Sequence, residues 1–123
     1  MKYYTPHIDE LFIGMECESK QDGEWIPETI NKLDGQESIH RRLQYLTTDD
    51  IIDEEFDLRY ETREFKSFSK ILYSNESPVE VSVHLLNHQG EPVIRITKSD
   101  EIILDSIIVK NKYEFKWLIE RLL

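Results

Sequence analysis

The last third of the chain, residues 79–123, constrains the fold most, because strict two-residue alternation is followed there by an amphipathic segment. Across residues 79–85, valine and leucine alternate with glutamate, serine and histidine, the period of a strand with one face in a core. Ile94 and Ile96 repeat this alternation after the turn residues Gln89-Gly90. The pattern predicts an antiparallel hairpin.

A third apolar run, residues 102–109, follows a second turn at Ser99-Asp100. Both faces of this run are apolar, with Ile102, Leu104 and Ile108 on one and Ile103, Ile107 and Val109 on the other. Two apolar faces are typical of a strand that is central in a sheet or covered on both sides. We therefore expect residues 79–109 to form a three-stranded antiparallel meander whose final strand lies inside the sheet.

The chain then predicts a C-terminal helix. Asn111 is a good N-cap, and Glu114, three residues later, can reach back to a free backbone amide. One apolar stripe follows at helical spacing and should pack on the sheet; it consists of Phe115, Leu118, Ile119, Leu122 and Leu123.

At about 100° per residue, Tyr113 and Trp117 fall on the opposite, charged face of this helix. Exposed aromatic side chains are enriched in binding hot spots, so Tyr113, Trp117 and Trp25 form the candidate partner surface. Three groups could cover Tyr113 and Trp117. These are the chain's own N-terminal arm with Tyr3 and Tyr4, a second copy of the chain in a homodimer, or another protein.

The first half reads as a meander of strands. Residues 11–17 alternate and place Cys17 inward, and Asp22-Gly23 is a hairpin turn. Residues 25–30 should form an edge strand, because Pro27 lacks a ladder donor. Asp34-Gly35 marks another turn before a run over residues 39–45.

In the middle, Thr47 and Thr48 ahead of Asp49 and Asp50 predict a helix of one or two turns that ends before Phe56. Residues 56–60 alternate again. Residues 62–74 fit either a helix or a strand, and we favour a strand.

These patterns together predict one domain over residues 1–123, of the α+β class and mainly β. The sheet is predicted to be an antiparallel meander, and a curled or barrel-like sheet is the alternative. A short middle helix and the C-terminal helix are expected to pack on it.

The net charge of −10 is carried entirely by residues 1–64. Such an acidic half repels a phosphate backbone, so we expect no nucleic-acid partner. It favours basic protein partners or serves only solubility. A single cysteine, with no apolar run of membrane-spanning length and no leader, predicts a cytoplasmic protein without a membrane partner.

Three stretches carry a resemblance: YYTPHIDELFIGMECE (3–18), LQYLTTDDIIDEEF (43–56) and IIVKNKYEFKWLIERL (107–122). They resemble a group of small uncharacterised proteins of Bacteroidetes and their phages and mobile elements, with FxVGFEYE, KYLDKEDIESLGW and IKNKxEL at corresponding places. Gly14 is kept, whereas Met15 and Cys17 replace aromatic positions and the glycine expected near Glu54 is absent. The resemblance implies a similar fold and a mobile-element origin, and it transfers no functional residue.

Candidate chemical sites are sparse. Asp9, Glu18 and Lys20 have the residue types of a metal-dependent nuclease, in which two carboxylates hold Mg²⁺ and a lysine supports the attacking water. His84 and His88 have zinc-ligand spacing but lie on a predicted strand. The acidic run at residues 49–57 lacks the glycine of a calcium loop, and Cys17 is best read as a core thiol.

We accordingly predict no catalytic, cofactor-binding or metal residue. The favoured hypothesis is a small acidic interaction module that acts by protein–protein contact. The alternative is a metal-dependent hydrolase that uses Asp9, Glu18 and Lys20.

Overall fold

The computed structural model describes residues 2–33, 39–73, 77–86 and 91–123. The chain divides into two compact units, Met1–Tyr45 and Leu46–Leu123, and each contains one antiparallel sheet. The predicted class, α+β and mainly β with a C-terminal helix, is confirmed. In the described residues both sheets are open, so the barrel-like alternative is not observed. One domain over residues 1–123 stays a prediction.

The first unit is a four-stranded sheet. Its elements are β1 (Tyr3–Tyr4), a 3₁₀ helix (Ile8–Glu10), β2 (Glu16–Gln21), β3 (Glu24–Thr29) and β4 (Arg41–Gln44). The strand order is β1-β4-β2-β3. β3 is an edge strand, as the missing N–H of Pro27 predicted.

The predicted meander of the first half is wrong in its order, because β4 pairs with β2 and not with β3. Strand β2 also begins later than predicted, at Glu16 rather than Leu11. Gly14 there has φ +95, and the Met15 amide donates to the Phe12 carbonyl at 3.1 Å in a tight turn. Cys17 is buried, as the alternation predicted.

A second prediction is wrong at residues 3 and 4, because a packed arm without a strand or helix of its own was expected there. Tyr3 and Tyr4 pair with Leu43 and Gln44 as a two-residue strand. The Tyr4 ring stacks on Tyr45 with 4.8 Å between centroids. The arm is therefore an edge of the first sheet.

The second unit is a five-stranded sheet with two helices. Its elements are α1 (Thr48–Asp53), β5 (Asp57–Glu61), β6 (Phe65–Tyr73), β7 (Pro78–Leu86), β8 (Val93–Lys98), β9 (Glu101–Ile108) and α2 (Lys112–Leu122). The strand order is sequential, which confirms the meander for this part of the chain, and β6 confirms the strand reading of the ambiguous stretch.

The turns confirm two of the four sequence signals. Asp22 and Gly23 both have positive φ, as do Ser99 and Asp100, which is the geometry of tight hairpins. The turns at Asp34-Gly35 and Gln89-Gly90 lie outside the described residues.

The prediction that the last strand lies inside the sheet is wrong, because β9 is an edge strand. Its register with β8 shifts twice, and Ser106 has φ +52. Such bulges break the alternation, so Leu104 and Ile107 pack on the core while Ile102 and Ile108 stay exposed. Two apolar faces therefore reflect a bulged edge here and not double coverage.

One face of the second sheet builds the core of this unit with residues of both helices. Alternate residues of β6, β7 and β8 contribute Phe68, Val81, Val83, Leu85, Ile94 and Ile96, and the remaining buried members are Leu46, Ile51, Phe56, Val109, Phe115 and Ile119. The opposite face of the same strands carries Ser67, Ser69, Ser82 and Thr97, together with the exposed Ile71 and Tyr73.

Both helices begin with the predicted caps. The Thr47 hydroxyl accepts from the Asp50 amide at 3.2 Å, and the Asp50 carboxylate accepts from the Thr47 amide at 2.9 Å. Asn111 Oδ1 accepts from the amides of residues 113 and 114. Glu114 reaches back one residue beyond the cap, to the Lys110 amide at 2.7 Å.

Candidate functional site

Trp117 is the most exposed residue of the candidate partner surface. It lies on the outer face of α2 with 56% of its surface exposed. The guanidinium of Arg121, one turn later, lies 4.7 Å from the centre of its ring. This cation–π contact ties the two side chains together, and more than half of the Trp117 surface stays accessible.

Tyr113 is half-buried on the same helix, with Lys112 Nζ 5.2 Å from its ring centre. The apolar side of α2 packs against the core and so determines which side of the helix faces outward. Phe115 and Ile119 are buried, and Leu118 and Leu122 pack against the core. Because the helix is anchored on one side, the aromatic residues on its other side are presented in a fixed position.

Trp25 has a different setting, in the first unit. It is half-buried on β3, and the Arg42 guanidinium lies 4.5 Å from its ring centre and 3.9 Å from that of Tyr3. Arg42 also donates through Nε to Glu18 at 2.7 Å. Arg42 therefore covers one face of the Trp25 ring within the first unit. For this reason we centre the candidate partner surface on Trp117.

The three residues of the hydrolase alternative lie in the first unit with other partners. The Glu18 carboxylate is paired with Arg42, and Lys20 Nζ lies 5.9 Å from the Trp25 ring centre. Asp9 is in the 3₁₀ helix, 3.3 Å from His7 Nδ1. Among the described residues no group of three or more His, Cys, Asp and Glu side chains could hold a metal ion.

His84 lies on β7, and His88 lies outside the described residues. Burial lowers the pKa of His84, and the nearby charge of Arg95 lowers it further. Its ring packs edge-on against Phe65, with 5.6 Å between centroids. The side chain is therefore neutral near pH 7.

Cys17 lies in a small polar cluster at the β2–β3 pair. Its thiol donates to Glu28 at 3.5 Å, and the same carboxylate oxygen accepts from Arg41 Nε at 2.7 Å. Burial, followed by the Glu28 hydrogen bond and charge, raises the pKa of Cys17 from 9.0 to about 11. The thiol is thus a poor nucleophile, in line with its reading as a core residue.

We expect Cys17 to react at pH 8 with iodoacetamide roughly a hundredfold more slowly than an unstructured cysteine, because the raised pKa reduces the thiolate population. The linked contribution to stability is present below pH 9.0 and is lost as the pH rises toward about 11. Timed labelling with mass spectrometry checks the rate, and labelling in guanidinium chloride is the control. Equal rates in both conditions would contradict the assignment.

A polar depression of about 470 Å³ on the outer face of the second sheet was not predicted. Small hydroxyl residues of β6, β7 and β8 line it together with Arg59, Tyr60 and His84. The sequence signal was present as the polar half of each alternating run. Placing those residues side by side requires the strand register, which the sequence does not supply.

No helix in the described ranges is long and apolar enough to cross a membrane. Comparison of the chain with protein-family models, with curated proteins and with solved structures gives no match.

Proposed function

We propose that this protein is a small acidic, non-catalytic interaction module that binds another protein through the outer face of α2. The observation that carries the proposal is the 56% exposure of Trp117 on a helix whose opposite face is fixed in the core. An exposed aromatic face of this kind is typical of a contact surface.

The energetics favour Trp117 as the centre of the contact. Tryptophan and arginine are the residue types most enriched in binding hot spots, and here they are adjacent. Arg121 already orders the indole ring, so little side-chain entropy remains to be lost on binding. A partner that covers both would remove a large apolar area from water at low ordering cost.

The charges around Trp117 indicate the kind of partner. Lys112, Lys116 and Arg121 outnumber the exposed carboxylate of Glu120 on this face, although the whole chain is acidic. The face therefore complements an acidic surface. Residues 49–57 supply such a surface on the chain itself, which makes a second copy the first partner to test.

The resemblance and the cysteine content bear on the biological setting. The resemblance to proteins of Bacteroidetes phages and mobile elements supports a role as an accessory protein of such an element. The single cysteine is in keeping with a reducing, cytoplasmic setting.

The decisive experiment replaces Trp117 by alanine. Because the side chain is exposed, we expect the free energy of unfolding to change by about 0.5 kcal/mol or less. We expect self-association, followed by sedimentation velocity, to weaken at least tenfold, since loss of a hot spot costs about 2 kcal/mol or more. If the wild-type protein is monomeric, affinity capture should be done with the wild type and with Trp117→Ala. We then expect a partner protein that the wild type retains and the variant does not.

Tyr73→Ala is the matched control, because Tyr73 is an aromatic residue of the same unit with 86% exposure. It should leave association unchanged. Equal loss in both variants would indicate non-specific adhesion, and an unfolded Trp117→Ala protein would refute the assigned face of the helix. A rise in melting temperature with Mg²⁺ for wild type, absent in Glu18→Ala, would favour the hydrolase alternative instead.

A further inference from the structure

The outer face of the second sheet carries a floor of hydroxyl groups from three adjacent strands. Ser69 of β6 is directly opposite Ser82 of β7, and Ser82 is opposite Thr97 of β8. Ser67 lies two residues from Ser69 on the same face. These hydroxyl groups form the base of the depression of about 470 Å³.

Ser67 is the informative member of the floor. It is only 5% exposed, and its hydroxyl makes no hydrogen bond to any side chain or carbonyl in the described ranges. Within those ranges, no side-chain oxygen or nitrogen that is fully shielded from solvent lacks a partner. The Ser67 oxygen therefore opens into the depression, where it is available to a ligand.

Charged side chains add donors and acceptors to the lining of the depression. Arg59 Nε donates to Ser69 Oγ at 2.6 Å, which fixes the guanidinium at one wall. Arg59 makes no ion pair with a described residue, so its terminal N–H groups are available. Glu80 and Asp100 also line the depression and supply acceptors.

Tyr60 forms an aromatic rim. It is 52% exposed, and its ring is held edge-on by Phe65 with 5.6 Å between centroids. One ring face is thus available beside the hydroxyl floor. A ligand ring with apolar faces and polar edges fits this arrangement. One of its faces can stack on Tyr60 while its edge exchanges hydrogen bonds with the nearby donors and acceptors.

The charges and the hydroxyl groups of the depression disfavour two ligand classes. His84 is neutral, so the charged groups among the described lining residues are one guanidinium and two carboxylates. The carboxylates oppose a phosphate or another anion, and the guanidinium opposes a cation. The floor also disfavours an apolar ligand, because such a ligand would cover the Ser67 hydroxyl and the terminal N–H groups of Arg59 without offering them a hydrogen bond. A neutral ligand rich in both donors and acceptors remains.

We propose that this depression binds a saccharide. Its hydroxyl groups donate to Glu80 and exchange hydrogen bonds with Ser67 and Ser82, Arg59 donates to its oxygens, and one face of the sugar ring stacks on Tyr60. The site is separate from the aromatic face of α2, so the inference does not depend on the function proposed above.

The test is a chemical-shift titration of ¹⁵N-labelled full-length protein with glucose, N-acetylglucosamine and maltose. We expect amides of β6, β7 and β8 around the floor to shift with at least one of these sugars, with a Kd of about 1 mM. Tyr60→Ala and Ser67→Val should each weaken the affinity about tenfold. Ser67 is buried, and its replacement by valine could disturb the fold. Tyr60 is exposed, so Tyr60→Ala should fold normally and tests the proposal in that case.

Tyr73→Ala, on the same strand face but not among the residues lining the depression, is the control and should bind as wild type does. Shifts that are absent with all three sugars, or that persist unchanged in Tyr60→Ala, would overturn the proposal. Shifts with sodium phosphate and none with the sugars would also overturn it, in favour of an anion site. Sugar binding should survive Trp117→Ala, which separates this inference from the contact surface.

Discussion

Replacing Phe115 by alanine should lower the free energy of unfolding by about 3 to 5 kcal/mol. Phe115 is fully buried, and its ring lies 6.0 Å from that of Phe56, tilted by 58°. The substitution removes the apolar area of the ring and leaves a cavity between α2 and the sheet, where the helix cannot close the gap without losing Ile119 from the core. Urea unfolding followed by circular dichroism measures the loss.

Substitutions at two neighbouring residues of α2 provide a comparison for the loss expected in Phe115→Ala. Leu118 is half-buried beside the core, so Leu118→Ala should cost about 2 kcal/mol, the low end of the range for a buried leucine. Glu114→Ala removes only the hydrogen bond to the Lys110 amide and should cost about 1 kcal/mol or less. Small and equal losses in all three variants would mean that α2 is not docked.

The C-terminal helix was predictable because its signals are local. A cap at Asn111 and apolar residues at helical spacing specify both the start of α2 and the face that is buried. The exposed position of Trp117 on the outer face of α2 follows from the same periodicity and was therefore predictable. The capped helix at Thr48–Asp53 was found for the same reason.

Strand placement was not predictable in the same way. Whether β9 is central or at an edge depends on which strands pair, and two bulges made an edge strand resemble a covered one. The position of β4 beside β2 depends equally on long-range pairing. The hydroxyl floor needs three strands in register, and the alternation within each run describes only one strand at a time.

Trp25 shows why exposure is harder to predict than periodicity. Its place on an edge strand was correctly anticipated, yet Arg42, 17 residues away in the chain, covers one face of its ring. That contact depends on the pairing of β4 with β2, opposite β3. An aromatic residue on an edge strand is therefore a weaker indication of a binding surface than one on the outer face of a docked helix.

Replacing Glu28 by alanine should be the second largest loss, about 3 kcal/mol, because Glu28 is the carboxylate paired with a buried guanidinium. The Arg41 side chain is 3% exposed, and its Nε lies 2.7 Å from Glu28 Oε1. Without that carboxylate, a buried guanidinium loses one oppositely charged hydrogen-bond partner in a place that water does not readily reach. Chemical denaturation of the variant gives the value.

Glu18→Ala is the matched control for this prediction. Glu18 accepts from Arg42 Nε at the same distance, 2.7 Å, but that arginine side chain is 27% exposed. Water can replace the lost carboxylate there, so the expected cost is about 1 kcal/mol or less. The double replacement Glu28→Leu with Arg41→Met should recover most of the loss, because a buried ion pair replaced by apolar residues of similar size is often close to neutral. Equal losses for Glu18→Ala and Glu28→Ala would show that burial of the arginine does not set the energy of the pair.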